Sequence, residues 1–379
     1  MKITHYKTNT LKGKTGFNLS IFKTLIFLAV LTTGIISKAQ QNNTTKINVG
    51  LIYPLSSNGR NAPLDTNSLS INVLAGVSSV EKGVAFAGLS NVVRNNTYGT
   101  QFAGFSNHIG KKASGALFAG FANTYHEGDG AAFAGFANIA HGNLKGVQFA
   151  GFANVAMNVN GAQFGGFMNV AKNVSASQIS GFMNKAKDVK GSQFAGFINI
   201  ARKIKGAQIA GFINIADSSD CPIGILNFIK NGEKSIGVSA DENQTAMLIF
   251  RSGGKTMYGI FAVGYNFKNE DEIYALEVGL GVHFFQSDNF RLNIELTQST
   301  LESFKEGEYF KSSFKLLPAL KLSKHIEIFG GPAVNFVSTN TIEGKSLNPK
   351  KHIDQWQSKW SDYQETLYIG YGGGINIIF

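Results

Sequence analysis

The chain has 379 residues, with 35 Lys and Arg against 24 Asp and Glu, and with 44 Gly, 31 Phe, 6 Pro and one Cys. One cysteine excludes a disulfide scaffold and a cysteine-rich zinc module, and 43% apolar content with 16% charge excludes a disordered tail. Six lysines and no acid precede residue 40, so the formal +11 falls to 29 basic residues against 24 acids beyond that point, and no nucleic-acid partner is expected.

Residues 1–23 are lysine-rich and acid-free, Thr24–Ile36 is apolar, and Ser37, Lys38 and Ala39 offer the small residues a signal peptidase reads. This pattern predicts a secretory signal peptide over 1–39, cleaved after Ala39. Its apolar run is shorter than the roughly 20 residues a spanning helix needs. Any membrane crossing by the rest of the chain must therefore use strands. The lone Cys221 reads as a small residue in a packed site.

Lys46–Ser56 and Ser68–Val77 read as two strands in an N-terminal segment over 40–82. From 83 to 220 the chain repeats itself nine times at 15 or 16 residues, as in GTQFAGFSNHIGKKAS, GVQFAGFANVAMNVN and GSQFAGFINIARKIK. Apolar and polar residues alternate within each unit, and Asn, Lys, Asp and Gly gather between units, so each unit reads as a strand of about ten residues and a turn.

Two all-β architectures fit such units. A β-solenoid would stack Gln148, Gln163, Gln178, Gln193 and Gln208 in one ladder and Asn154, Asn169, Asn184, Asn199 and Asn214 in another. An antiparallel transmembrane β-barrel would use each unit as one strand, and about ten residues at ~3.3 Å, tilted ~40°, span an apolar band of about 25 Å. The turn charges favour the barrel. Turns after even-numbered units carry Lys111, Lys112, Lys145, Lys172, Arg202, Lys203 and Lys205 and no acid. Those after odd units carry Arg94, Lys187 and Lys190 against Glu127, Asp129, Asp188, Asp217 and Asp220. Hairpins send alternate turns to opposite ends of a sheet, which gives this parity a meaning that a solenoid denies it.

Over 221–379 nine further strands are expected, beginning with CPIGILNFI and ending with TLYIGYGGGINIIF. With two upstream strands and nine repeats they predict a barrel of roughly 18–20 strands; the alternative is a solenoid of the repeats joined to a smaller C-terminal antiparallel barrel or sheet. A terminal aromatic, Phe379, on the last strand resembles the assembly signal of Gram-negative outer-membrane barrels.

The recurring GxQxAGFxNxA, and the CPIGILNFIKNG that ends it, resemble a family of uncharacterised bacterial surface-repeat proteins of the cell envelope. The resemblance covers roughly residues 70–260. It implies a cell-surface or outer-membrane location and supplies no activity, ligand or catalytic residue. Ala85, Leu117 and Ala132 interrupt the Gln row in units 1, 3 and 4.

No catalytic chemistry, cofactor or metal is expected. His108, His126, His141, His283, His325 and His352 show no HxH or HxxxH spacing. His325 and Glu327 share a strand face without a third ligand, and no serine sits in a GxSxG context. Trp356, Trp360 and Tyr363 form the candidate loop-binding cluster, at a spacing that would share one face of a short helix or stack on a sugar. The functional expectation is an outer-membrane or surface protein with a structural, channel or scaffold role, whose partners are outer-membrane lipid, the barrel assembly machinery and an unidentified surface ligand. In it the Gln and Asn rows, and the Phe105, Phe121, Phe136 and Phe152 row, line the lumen. The alternative is an adhesion or binding module built on an exported solenoid.

Overall fold

A computed structural model describes residues 45–270, 273–304, 307–358 and 362–379; the expected signal peptide and Trp360 lie outside these residues. The fold is all-β, with a β-solenoid of about eleven coils followed by a closed eight-stranded antiparallel barrel. A single transmembrane barrel of 18–20 strands is thereby corrected, because the nine repeats pair in parallel and in register. Gln148 lies beside Gln163, and Gln178 beside Gln193. The parallel stack extends past both ends of the repeats, from Lys46–Ile52 to Leu226–Ile229.

The reason is a bend that alternation alone does not reveal. In the fifth unit Leu144–Ala150 and Ala153–Val155 are separate strands, with Gly151 and Phe152 at the corner. A straight strand would set Phe152 on the face of Gln148 and Asn154; the corner turns its ring outward while Ala153 and Asn154 point in. The corner must be glycine because the coils touch there. A Cβ on Gly151 would lie 2.1 Å from the carbonyl oxygen of Gly135 one coil earlier, and one on Gly166 would lie 2.0 Å from that of Gly151.

Inside the coils the two amide rows are completely buried. Each Asn Nδ2 donates to the Oδ1 of the next coil's Asn, from Asn91 to Asn107 at 3.0 Å through Asn154 to Asn169 at 2.9 Å and on to Asn227. It also donates to a backbone carbonyl of that coil, as Asn154 does to Phe164 at 2.7 Å. The Gln row runs from Gln208 back to Gln148. Where units 3 and 4 lack Gln, Tyr125 fills the core beside Leu117 and Ala132, and its hydroxyl accepts from Gln148 Nε2 at 2.8 Å. The repacking satisfies Gln148 but leaves Gln101 Oε1, which faces Leu117 instead of a glutamine, buried with no hydrogen-bond partner among the described residues.

Turn charges alternate for a different reason from the one expected. All turns of one kind lie on one edge of the stack, and opposite signs on adjacent coils pair. Lys112 meets Asp129 at 3.2 Å, Arg202 meets Asp188 at 2.6 Å and Lys230 meets Asp217 at 2.6 Å. These pairs are half-exposed, so they favour the register and avoid like-charge contact more than they stabilise the fold.

Because each unit is a complete coil, deleting Gly161–Ser175 should shorten the stack and leave both neighbours with equivalent surfaces to pair. Protease resistance of the shortened chain, equal to that of a chain lacking Gly161–Lys190, is the expected result. A single antiparallel barrel would tolerate only the two-unit deletion.

The barrel comprises Lys234–Asp241, Thr245–Gly253, Met257–Asn266, Tyr274–Phe284, Phe290–Glu302, Tyr309–Lys321, Ile326–Thr339 and Gln364–Ile378. It closes where the first strand pairs antiparallel with the last, from Ser235 beside Ile378 to Asp241 beside Gly372. Eight of the nine downstream strands expected from sequence are these; the ninth, CPIGILNFI, belongs to the solenoid as Ser218–Ile223 and Leu226–Ile229. The solenoid docks on the outer wall. The Asn row ends there, since Asn227 Nδ2 donates to the Ser252 carbonyl at 3.0 Å and its backbone N–H to Ser252 Oγ at 2.9 Å. Gly259 faces the last coil so closely that a Cβ would sit 2.1 Å from the oxygen of Gly224.

Candidate functional site

Along Phe290–Glu302 the inward residues are Arg291, Asn293, Glu295, Thr297 and Ser299, and Phe290, Leu292, Ile294 and Leu296 point outward. On this strand the polarity of a water-soluble barrel is inverted, while Met247, Ile249, Ile260, Leu317, Phe329 and Val337 of the other strands form an apolar cluster inside. In the lumen Arg251 Nε donates to Glu295 Oε1 at 2.8 Å and Nη1 to Asn376 at 2.9 Å, while Tyr258 donates to the same Glu295 oxygen at 2.9 Å. Arg291 bridges Glu233 and Glu327, each at 2.6 Å, and Lys315 pairs with Glu277 at 2.8 Å. An eight-stranded barrel is just wide enough for side chains to fill. Among the described residues these groups line a void of about 50 Å³. The Gln and Asn rows expected to line a lumen are instead the dry core of the solenoid.

The outward face is largely apolar, with Leu248, Leu296, Leu320, Ile328 and Ile377 among its half-exposed residues, and is interrupted by Gln298, which accepts from the Ser312 hydroxyl. Aromatic rings gather at both edges. Tyr265, Phe267, Tyr274 and Phe304 pack together near one rim, and Phe284 and Phe285 near the other. Phe379 stands at the second rim on the closing seam, its N–H bonded to the Lys234 carbonyl at 2.9 Å.

Of the aromatic cluster expected in the long loop, Trp356 and Tyr363 are described and neither lies on a helix. Trp356 lies on the short strand Asp354–Gln357, paired with Glu365 and with its ring 6.0 Å from that of Phe336. Tyr363 donates to Glu308 instead. His325 precedes its strand and bonds the Ile378 carbonyl, while Glu327 is buried against Arg291, so the two do not share a site. His108 bonds Thr124, and His283 bonds Asn293 inside the barrel. Cys221 sits at the junction, 3.9 Å from the sulfur of Met257.

A groove along the solenoid was not foreseen. The outward residues before each corner, Phe86, Phe102, Phe118, Phe133, Phe149 and Phe164, stack at 4.6–5.1 Å with nearly parallel planes. The coil spacing imposes this on every in-register ring. With the following Ala and Gly of each coil they line an open groove of about 1040 Å³. The second Phe row, Phe105 to Phe212, stacks on the far side of the corner and does not line it. Repetition of FAGF was the available signal, but it needed the corner to become a groove.

Glu81 is the buried acid of the first coils. Asn67 and Ser70 donate to its Oε1 at 3.0 and 2.7 Å, and Oε2 has no partner among the described residues. Burial outweighs those bonds and raises its pKa above the ordinary 4.5. Folding therefore favours the protonated form, so its contribution is complete below pH 4.5 and is lost as pH rises through the raised value. Glu81→Gln should flatten the dependence of solenoid melting on pH above 4.5 and raise its melting temperature at pH 7, read by circular dichroism.

The chain matches no protein-family profile, no curated protein and no solved structure.

Proposed function

We propose that this is a non-catalytic protein of the bacterial outer membrane or cell surface, in which the barrel is the membrane anchor and the solenoid a structural or adhesive arm. The observation that carries this reading is the polarity of the barrel, with ion pairs inside and a largely apolar belt outside. From Phe290 to Thr300 the wall rises about 25 Å at ~3.3 Å per residue and ~40° of tilt, the height of a bilayer's apolar band. Flanking aromatic girdles and a closed ladder without edges support it further. So does the resemblance of GxQxAGFxNxA to envelope surface-repeat proteins. Export by the segment 1–39 and folding by the barrel assembly machinery, with Phe379 at the seam as its signal, belong to the same proposal. With its lumen filled, the barrel serves as an anchor more naturally than as a channel.

The test is expression of the full chain in a Gram-negative host. It should sediment with outer membranes, require detergent for extraction and migrate faster on a gel before boiling than after. A monomer in the soluble periplasm, stable without detergent, would overturn the reading.

A further inference from the structure

We infer that the solenoid stands on the periplasmic side of the outer membrane, across the bilayer from the long loop 340–363, a placement that rests on the barrel being the anchor proposed above. The partners of the solenoid are then those of the periplasm, and a ligand outside the cell meets the loop instead.

Eight strands are an even number, so the first begins and the last ends at one rim. There Lys234 lies beside Ser252, and Ser235 beside Ile378. The turns along that rim are 254–256, 285–289 and 322–325, whereas those along the other are 242–244, 267–273, 303–308 and 340–363. Outer-membrane barrels carry short turns toward the periplasm and longer loops outside. The rim of Lys234 and Ile378 is therefore the periplasmic one.

The solenoid is held at this rim. Its last strand ends at Ile229 and the wall starts at Lys234. Even fully extended, that link covers about 17 Å at ~3.4 Å per residue, which is short of a wall of about 25 Å. Direct contacts hold the arm closer still. Asn227 makes both of its bonds to Ser252, at 2.9 and 3.0 Å, and Cys221 lies 3.9 Å from the sulfur of Met257. A Cβ on Gly254 would sit 3.0 Å from Pro222. Ser252, Gly254 and Met257 all belong to the hairpin whose turn is 254–256, at the periplasmic rim. Where the last coils lean along the wall toward Leu280 and Leu296, they present Ile209, Ile223 and Ile225, so the part of the arm that reaches leaflet depth is apolar. The lumen gives the arm no way through, since the pairs of Arg251 with Glu295 and of Arg291 with Glu327 lie across it.

The two ends of the barrel consequently divide the roles proposed for the molecule. Ile342, Ile353 and Trp356 are exposed at the outer rim, within reach of a ligand outside the cell. The coils are shielded from it, which leaves them the structural role and takes adhesion away from them.

The experiment uses the full chain in a Gram-negative host, with Cys221→Ser as background and one new cysteine, Ile342→Cys or Met157→Cys, both at exposed positions. Intact cells are treated with a maleimide carried on a polyethylene glycol too bulky for porins, and labelling is read as a gel shift of the membrane-bound, heat-modifiable chain. Ile342→Cys should shift in intact cells. Met157→Cys should shift only after the outer membrane is permeabilised. Lys351→Cys and Lys190→Cys, exposed in the same two regions, should repeat the pattern and guard against a local folding defect. A shift of Met157→Cys in intact cells, with the chain in the membrane fraction, overturns the placement and leaves the anchor standing, as does protection of Ile342→Cys until permeabilisation. Recovery of the chain from the soluble periplasm without detergent overturns anchor and placement together.

Discussion

Asn154→Asp should unfold the solenoid while leaving the barrel closed. Asn154 Nδ2 donates to the Phe164 carbonyl at 2.7 Å and to Asn169 Oδ1 at 2.9 Å, and its own Oδ1 accepts from Asn138 at 3.0 Å. The aspartate keeps the acceptor and puts a single oxygen where the amide nitrogen donated twice, facing two acceptor oxygens in a position with no exposed surface. Two lost hydrogen bonds at ~1 kcal/mol each and a buried unpaired charge together cost on the order of 5 kcal/mol, comparable to the whole stability of an ordinary domain. Acid should restore part of it, since a protonated carboxyl regains one donor. Limited proteolysis at pH 7 is the measurement, with heat-modifiable migration reporting on the barrel. A protease-resistant solenoid would show that the Asn row tolerates a charge.

In the barrel the largest effect is expected from Arg251→Ala. Its guanidinium is held by Glu295 and Asn376 and lies 4.6 Å over the Phe329 ring. Glu295 is 1% exposed at its side chain, and without Arg251 it keeps, among the described residues, the Tyr258 hydroxyl as its close donor. Removing one partner of a buried pair costs about 3–5 kcal/mol, whereas replacing both by neutral groups of similar volume is often mild. Arg251→Met with Glu295→Gln should therefore be more stable than Arg251→Ala alone, measured by urea unfolding in lipid vesicles. If the single and double variants unfold at the same urea concentration, the pair is not what fills the lumen productively.

Much of this fold could be read from the residues, and the failures have identifiable causes. Gln and Asn at fixed offsets do form the two ladders that a parallel stack requires, and the strands after residue 233 fall where alternation and turn residues placed them. The corner at Gly151 and Phe152 was hidden because a period of two cannot distinguish a straight ten-residue strand from two short ones meeting at an angle. The turn charges misled because alternation of sign arises equally from opposite ends of a sheet and from neighbours that pair; Arg202 with Asp188 decides for the second. The solenoid's true end was present in the sequence as Asn227 of GILNFI, the last Asn of the row, without its Gln. The barrel's polarity was written in the inward set Arg291, Asn293 and Glu295, but only closure of the sheet says which face is inside. The groove depended on the corner and was lost with it.

The two buried amide rows point in opposite senses: each Asn donates toward the C-terminal end of the stack, as Asn169 does to Asn184, and each Gln toward the N-terminal end, as Gln178 does to Gln163. From Gln148 to Gln208 their dipoles oppose one another coil by coil, so length added within that stretch builds up little electrical asymmetry from these side chains. A single row would have accumulated a growing axial field, with partial charge concentrated at the two ends where the stack must meet solvent or another structure. Where the two are opposed, a coil can be gained by duplication or lost by deletion with little change in what the ends experience, and the length of the arm is free to vary there independently of the proposed anchor that holds it.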